Sequence, residues 1–163
     1  MDYFYKILQN YFQKEELEKI RKTKLLIIGC GGLGTNIAYI LIRTGFTKFI
    51  LVDFDKVEKK NLNRQLFSIK QCGSKKIFAL KKNLLKINSK ISIKSIDAKI
   101  DKKIFRKIIL KVKPDIIVEA VDDEKTKKII FEESLKLNKK VICASGVAGY
   151  GDCDKIKIKR GKN

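Results

Sequence analysis

Short, continuously apolar runs alternate with helical patterns along this chain, and no other feature of the sequence constrains its fold as strongly. The first run, residues 25–28, reads Leu-Leu-Ile-Ile and ends in glycines, as a strand buried on both faces of a sheet does. Further strands are predicted at 48–52, 91–94, 116–118 and 141–144, all buried except 91–94. Helices are predicted at 33–44, 75–87, 104–112 and 124–137. This order predicts a Rossmann-like α/β fold, an open and mainly parallel sheet with helices on both faces.

The same patterns predict the domain organisation. Residues 1–21 carry apolar side chains at helical spacing, which predicts one N-terminal amphipathic helix. Residues 22–163 are expected to form a single Rossmann-like domain, and the 44% of hydrophobic residues is enough for a buried core. Ile156 and Ile158 indicate the start of another strand whose partners do not follow, so we expect a domain shortened at its C-terminus.

Two absences narrow the chemistry. The chain has no His, which excludes Ser-His-Asp and Cys-His catalysis and metal sites built on His. Its four Cys form no C-x-x-C pair, so no zinc is expected. No apolar run approaches the roughly 20 residues of a membrane span, and the N-terminus does not resemble a signal peptide. We therefore expect a cytoplasmic protein with no membrane partner.

The net charge of +20 raises nucleic acid as a partner. Only five of the 38 basic residues are Arg, however, although nucleic-acid sites favour the planar guanidinium, and the Lys residues are spread over every segment. The charge is thus more typical of a diffuse background than of a binding patch. No specific nucleic-acid binding is expected, although it stays open as an alternative.

Residues 29–34 read Gly-Cys-Gly-Gly-Leu-Gly and fit the G-x-G-x-x-G pattern of a nucleotide-binding loop. They follow the first buried strand and open a helix, where glycines let the backbone approach a phosphate. The acid that binds a ribose hydroxyl is expected about 20 residues further on, and Asp53 stands near that distance. The pattern predicts an adenine nucleotide, with NAD as the first candidate. A glycine turn with a purely structural role is the alternative.

The residues that follow argue against NAD. Residues 61–65 read Asn-Leu-Asn-Arg-Gln, on a loop that leaves the same end of the sheet. A triphosphate needs more positive charge and more donors than a dinucleotide, and Asn61, Arg64 and a Lys at the next helix start could supply them. Lys76 fits that last role better by spacing than Lys75. The alternatives are a surface ion pair for Arg64 and a solvated helix start for the lysine.

Two carboxylates, Asp122 and Asp123, follow the buried strand at 116–118. Carboxylates at that strand end face the ligand crevice of an open α/β sheet, and Mg²⁺ on a triphosphate is commonly held by one or two of them. Asp122 is therefore the candidate metal ligand. The alternative for either residue is the N-cap of the helix at 124–137.

Together these motifs resemble the ThiF/MoeB/ubiquitin-activating adenylyltransferase family. The resemblance consists of the glycine loop, an Asp53-Phe54-Asp55-x-Val57 turn, residues 61–65, a Gly-x-x-Lys ending at Lys76, and Asp122. Residues 145–151 read Ser-Gly-Val-Ala-Gly-Tyr-Gly and resemble more narrowly the short ThiF-like proteins of thiamine biosynthesis.

The resemblance implies a reaction in which the C-terminal Gly-Gly carboxylate of a small, ThiS-like ubiquitin-fold sulfur carrier attacks the α-phosphate of Mg-ATP. It implies catalytic roles for Arg64, Lys76 and Asp122, with Asp122 holding Mg²⁺. The residues implied in nucleotide binding are Gly29, Gly31, Gly32, Gly34, Asp53, Asp55, Asn61, Arg64 and Lys76, with Asp53 on the ribose. A homodimer is also an option, because relatives often dimerise.

The sequence departs from the family pattern at several positions. Lys60 stands where relatives often have Ser, and the Arg that many relatives supply from a partner subunit lacks its usual motif, which leaves Arg21 as a substitute. Cys143 is expected to be buried for packing, and no catalytic Cys is assigned. Two other functions stay open: an NAD-dependent oxidoreductase domain, and a non-catalytic nucleotide-binding scaffold for a sulfur carrier.

Overall fold

A computed structural model describes residues 3–144 and contains a five-stranded, entirely parallel sheet in the order β3-β2-β1-β4-β5. The strands are β1 Lys24–Ile28, β2 Lys48–Asp53, β3 Ser92–Asp97, β4 Ile116–Glu119 and β5 Lys140–Cys143. Leu26 of β1 pairs with Ile50 of β2 on one side and with Ile117 of β4 on the other. The predicted Rossmann-like α/β fold is confirmed.

Helices cover both faces of the sheet because successive side chains of the buried strands point to opposite sides. Leu25 and Ile27 of β1 pack with α3 (Gly32–Arg43) and α4 (Lys76–Ile87). Leu26 and Ile28 pack in a second core cluster, against α5 (Lys102–Val112) and α6 (Glu124–Lys136). The strand order changes direction between β1 and β4, and ligands of such sheets bind in the crevice at that point.

The N-terminal segment forms two helices, α1 Tyr3–Leu8 and α2 Lys14–Lys22, rather than the one predicted helix. Gln13 is extended (φ −66°, ψ 154°) and begins α2, and its backbone N–H donates to the Glu16 carboxylate at 2.9 Å. The break lets Leu8 and Leu17 both approach the turn that contains Gly45. Tertiary burial of these two leucines thus outweighs the continuous helical pattern.

The segment predicted as a buried strand at 141–144 is β5, which pairs only with β4 among the described residues. Its side chains are half-buried or exposed, and Ile142 is 61% exposed. The prediction that Cys143 is buried for packing is wrong, because the position lies at the edge of the described sheet. Residues 145–151, Ile156 and Ile158 lie outside the described residues, and so does the expected shortening of the domain.

Within residues 3–144, no helix is both long enough and apolar enough to cross a bilayer.

Candidate active site

The glycine loop connects β1 to α3 at the point where the strand order changes direction. Gly29 has a φ of +95°, and a Cβ there would lie 2.5 Å from the carbonyl oxygen of Ala120. A Cβ at Gly34 would lie 1.9 Å from the carbonyl oxygen of Gly29. These two glycines therefore allow the loop to pack tightly against the end of β4 and against the first turn of α3.

Gly31 and Gly32 have different surroundings. Gly31 is the N-cap of α3, and a Cβ there would meet only the Gln65 side chain, at 3.9 Å. A Cβ at Gly32 would approach Arg64, whose carbonyl oxygen is 3.4 Å away. No side chain within residues 3–144 caps α3, so its first backbone N–H groups are available to an anion in the crevice.

Asp53 is the last residue of β2 and joins the glycine loop to the turn that follows β2. Its Oδ2 accepts from the backbone N–H of Cys30 at 2.6 Å, and its Oδ1 accepts from the backbone N–H of Asp55 at 2.7 Å. A carboxylate has about four lone-pair sites, so two are left for further donors. The predicted ribose ligand is thus held in place and still has acceptor capacity.

Lys75 and Lys76 are separated clearly by the structure. Lys76 is only 7% exposed, and its Nζ donates to Asp55 Oδ2 at 2.8 Å. Lys75 donates instead to the Phe54 carbonyl and to Asp97, at 2.6 and 3.1 Å. Burial, followed by the charge of Asp53, raises the pKa of the Cys30 thiol, while Lys76 acts in the opposite direction. Since Lys76 is buried and paired with Asp55, a solvated helix start is the wrong description of it.

Asn61 and Arg64 lie on a short 3₁₀ turn and the residues after it. Asn61 is buried, and its Oδ1 accepts from the backbone N–H of Glu58 at 3.3 Å. Arg64 Nη1 donates to the Lys60 carbonyl at 3.2 Å and to Asn63 Oδ1 at 3.0 Å. Arg64 pairs with no carboxylate within residues 3–144, so the surface ion pair considered for it is not formed there, and most of its five donors stay available.

Asp122 and Asp123 follow β4, and only one of them caps a helix. Asp123 is the N-cap of α6: its Oδ2 accepts from the Thr126 backbone N–H at 2.8 Å and from the Thr126 hydroxyl at 2.7 Å. These bonds lower the pKa of the Asp123 carboxyl. Asp122 is exposed and has no hydrogen-bond partner among the described residues.

The described part of the chain contains no cluster of three or more Cys, Asp or Glu that could hold a metal ion on protein ligands alone. Mg²⁺ typically takes one or two carboxylates plus substrate phosphates, which needs no such cluster. Asp122 would supply one such carboxylate, two residues after Ala120, which packs against Gly29 of the glycine loop.

Gln65 is a site residue to which the sequence analysis gave no role. It is 6% exposed, and its Oε1 has no hydrogen-bond partner among the described residues, while its Nε2 lies near Gly31. A buried, unpaired amide beside the open end of α3 indicates a place for a ligand or a water molecule. The signal in the sequence was its position as the last residue of the motif at 61–65.

Arg21 lies far from this crevice in its own chain. Its carbonyl oxygen accepts from the Thr47 hydroxyl at 2.9 Å, before β2 begins, and its guanidinium lies 4.8 Å from the centre of the Tyr5 ring. Within one chain Arg21 therefore lies at the amino-terminal end of the strands, whereas the glycine loop lies at their carboxyl end. Lys60 is exposed and pairs with Glu58 at 2.7 Å.

Taken together, the fold is Rossmann-like, and the loop, basic side chains and carboxylates in its crevice suit a phosphorylated nucleotide. The sequence profile described as the ThiF family matches residues 5–163. The chain belongs to the ThiF family.

Two curated relatives show the extent of the similarity. The adenylyltransferase and sulfurtransferase MOCS3 of Drosophila persimilis is 30% identical over 154 residues, covering 89% of this chain and 34% of MOCS3. The ubiquitin-like modifier-activating enzyme 5 of Caenorhabditis elegans is 38% identical over 78 residues, covering 48% of this chain and 19% of that protein. This chain therefore spans about a fifth to a third of the length of these relatives.

Among solved structures, E. coli MccB with ATP superposes with a TM-score of 0.74 at 32% sequence identity. The match covers 79% of this chain and 38% of MccB. That structure of MccB was determined with ATP.

Proposed function

We propose that this protein is an adenylyltransferase that activates the C-terminal Gly-Gly carboxylate of a ThiS-like, ubiquitin-fold sulfur carrier with ATP. The observation that carries the proposal is the position of Arg64, beside Gly32 at the uncapped start of α3 and without a carboxylate partner in the described chain. A guanidinium so placed suits a phosphate group, which it can bind through two parallel hydrogen bonds.

In the proposed reaction a carboxylate oxygen of the carrier attacks the α-phosphorus of ATP. The bond between that phosphorus and the oxygen bridging to the β-phosphate breaks, and pyrophosphate leaves with the bonding electrons. The products are the carrier acyl-adenylate and pyrophosphate. The nucleophile is already an anion at neutral pH, so no general base is required, in agreement with the absence of His from the sequence.

The work of the protein in this reaction is positioning and neutralisation of charge. The backbone N–H groups at the start of α3, Arg64 and Lys76 would bind the phosphates. Lys76 is buried, so its charge is less screened by solvent than that of an exposed lysine. Asn61 uses its Oδ1 within the 3₁₀ turn, and its Nδ2 is left to donate to a phosphate.

The carboxylates have separate roles in this proposal. Asp53 would accept from the ribose hydroxyls with the lone pairs that Cys30 and Asp55 leave unused. Asp122 would hold Mg²⁺, which when bound neutralises phosphate charge. Asp55 would act indirectly, because it orients the Lys76 side chain.

We further propose a role in thiamine biosynthesis in the cytoplasm. The proposed active unit is a homodimer. The pathway is supported by the resemblance of residues 145–151 to short ThiF-like proteins. An adenylyl transfer to a ubiquitin-like protein is supported by two relatives, since MOCS3 is an adenylyltransferase and the other activates a ubiquitin-like modifier.

ATP–pyrophosphate exchange with carriers ending in Gly-Gly tests the proposal. We expect exchange with such a carrier and none with the same carrier lacking its last glycine, because the reacting carboxylate is then displaced. A folded protein that binds ATP but exchanges with no carrier would be a scaffold instead. Tighter binding of NADH than of Mg-ATP would favour the oxidoreductase.

A further inference from the structure

A buried ion pair links the end of β4 to α6 next to the proposed site. Glu119 is the last residue of β4 and is 1% exposed. Lys127 Nζ lies 3.0 Å from each of its carboxylate oxygens. A carboxylate so deeply buried is rarely charged unless paired, and Lys127, whose side chain is 24% exposed, supplies the partner.

The carboxylate of Glu119 also holds the backbone that follows it. Its Oε1 accepts from the backbone N–H of Val121 at 2.7 Å. The preceding residue, Ala120, donates its own N–H to the Ile28 carbonyl at 2.8 Å and packs against Gly29. The turn is therefore attached to β1 at residue 120 and to the Glu119 side chain at residue 121.

Asp122 comes directly after these two attachments and directly before the residue that caps α6. Its neighbours on both sides are fixed by Glu119 and by Thr126, while its own side chain has no partner among the described residues. The backbone of the turn is thus held while the carboxylate is left available. This arrangement is expected for a metal-ligating carboxylate that must keep one orientation.

Lys127 makes a third contact, to the carbonyl oxygen of Ala144 at 2.9 Å. Ala144 follows β5, so one ammonium group connects the Glu119 carboxylate to the residue directly after this strand. The ammonium has three donors, and the two Glu119 oxygens and the Ala144 carbonyl account for them. The Glu119 side chain is consequently held in one orientation.

A buried ion pair is weak evidence for stability, since replacing both partners with well-packed apolar residues is often neutral or stabilising. We infer that Glu119, held in one orientation by Lys127, is a positioning residue whose hydrogen bond to the Val121 backbone N–H fixes the turn 120–122 and so directs the Asp122 carboxylate towards the metal ion of bound Mg-ATP. This inference rests on the proposed function, because it assumes that the crevice binds ATP with Mg²⁺. Glu119 acts only through the backbone and is not itself a catalytic residue.

The test compares Glu119→Met, which removes the acceptor for Val121, with Glu119→Gln, which keeps a side-chain oxygen of the same reach. Titration calorimetry with ATP, first in EDTA and then over a range of Mg²⁺ concentrations, gives the Mg²⁺ dependence of nucleotide affinity without the carrier. Groups that orient a metal ligand typically change metal affinity by about 10- to 100-fold, so we expect Glu119→Met to need that much more Mg²⁺. Glu119→Gln should stay close to the wild type.

Three controls separate positioning from other effects. Glu132→Met removes an exposed carboxylate from the same helix as Lys127 and should leave the Mg²⁺ dependence unchanged. Asp122→Asn should raise the Mg²⁺ concentration needed for nucleotide binding, as Glu119→Met does. If Glu119→Met does not fold, Glu119→Asp keeps the charge but shortens the side chain by one methylene, and the same loss is expected.

An unchanged Mg²⁺ dependence in Glu119→Met or Glu119→Asp would overturn the inference, and so would an equal loss in Glu119→Gln. An unaffected Asp122→Asn variant would overturn it too, since Glu119 would then have no metal ligand to direct. Failure of the wild type to bind ATP in any condition would instead reject the proposed function and the inference with it. Binding of ATP by every variant in EDTA shows that the nucleotide site itself is intact.

Discussion

Lys76 and Asp55 are joined twice, by the ion pair between Nζ and Oδ2 at 2.8 Å and by a backbone hydrogen bond of 2.9 Å from Lys76 to the Asp55 carbonyl. The first turn of α4 is therefore attached to the turn after β2 through both the backbone and the side chain of Lys76. Asp55 is about half exposed and the Lys76 side chain is nearly buried. In the proposed site, this ammonium would be shared between Asp55 and a phosphate.

Lys76→Met is expected to reduce ATP–pyrophosphate exchange strongly, on the order of 100-fold if the ammonium neutralises charge in the transition state. Lys75→Met is the matched control, because Lys75 points to Phe54 and Asp97 and should leave exchange within a few fold of the wild type. Equal losses in the two variants would show that their positions in the site are not distinct.

Arg64→Ala should also lower exchange, again on the order of 100-fold if its guanidinium binds the transferring phosphate. Arg64→Lys keeps the charge but loses the planar pair of donors and should recover only part of the rate. Arg43→Ala, on the exposed end of α3, is the control. Normal exchange in Arg64→Ala would mean that another group neutralises the phosphate.

The glycines of the loop should separate into two groups when each is replaced by Ala. Gly34→Ala is expected to prevent normal folding, since its Cβ would overlap the Gly29 carbonyl at 1.9 Å. Gly31→Ala should fold, because among the described residues its Cβ would meet only the Gln65 side chain at 3.9 Å, but it should weaken ATP binding by narrowing the approach to α3. Thermal unfolding and ATP titration on the same samples distinguish these effects, and a stable Gly34→Ala protein would contradict the described packing.

Glu133 provides a pH-dependent contribution to stability. A hydrogen bond from Arg106, opposed by burial and assisted by Lys136, lowers the pKa of Glu133. A lowered carboxyl pKa in the folded state contributes stability above the pKa of the unfolded chain, near 4.3, and this contribution is lost as the pH falls through the folded value. Glu133→Gln should therefore lower Tm at neutral pH, with a difference that shrinks in acid.

Thermal unfolding between neutral pH and about pH 3 measures this effect, since that range brackets the titration of ordinary carboxyl groups. Glu132→Gln serves as the control because the neighbouring Glu132 is exposed and lies 3.9 Å from Lys128. A Tm difference for Glu133→Gln that stays constant down to the lowest pH would contradict the ion-pair explanation.

Cys143 is exposed but is not expected to be reactive. Partial burial of its thiol, followed by the charge of Glu119, raises its pKa, and Lys127 opposes this only in part. Since the thiolate is the reactive form, alkylation at neutral pH should be slow, and Glu119→Gln should accelerate it. The rates are measured in a Cys72→Ser, Cys153→Ser background. Fast alkylation of Cys143 with Glu119 unchanged would contradict the prediction.

Local patterns in the sequence were sufficient for the fold and for the position of the glycine loop, while the roles assigned to the site residues stay predictions. The run at 25–28 followed by glycines predicts β1 and the loop, because a strand buried on two faces has few polar positions and a tight turn needs Gly. Asp53, Arg64 and Asp122 could be assigned to one edge because the carboxyl ends of parallel strands meet there. These inferences depend on residues close together in the chain and on a general rule of sheet geometry.

Long-range contacts decided what the patterns left open. Whether Lys75 or Lys76 lies in the site depends on the carboxylate that each one contacts. Lys75 contacts Asp97 and Lys76 contacts Asp55, and each of these partners lies about 20 residues away in the chain. The choice between Asp122 and Asp123 as the cap depends on the exact start of α6, which periodicity does not give. The break between α1 and α2 results from burial against Gly45, a contact that no local pattern contains.

By itself, then, the sequence determined which elements form and which chemical groups stand at their ends, since these follow from periodicity and residue type. Only the tertiary structure decided which of those groups face each other: Lys76 on Asp55, Gln65 beside Gly31, and Glu119 paired with Lys127. The physical reason is that burial and charge pairing act through space, between residues that the chain brings together only after the sheet has formed.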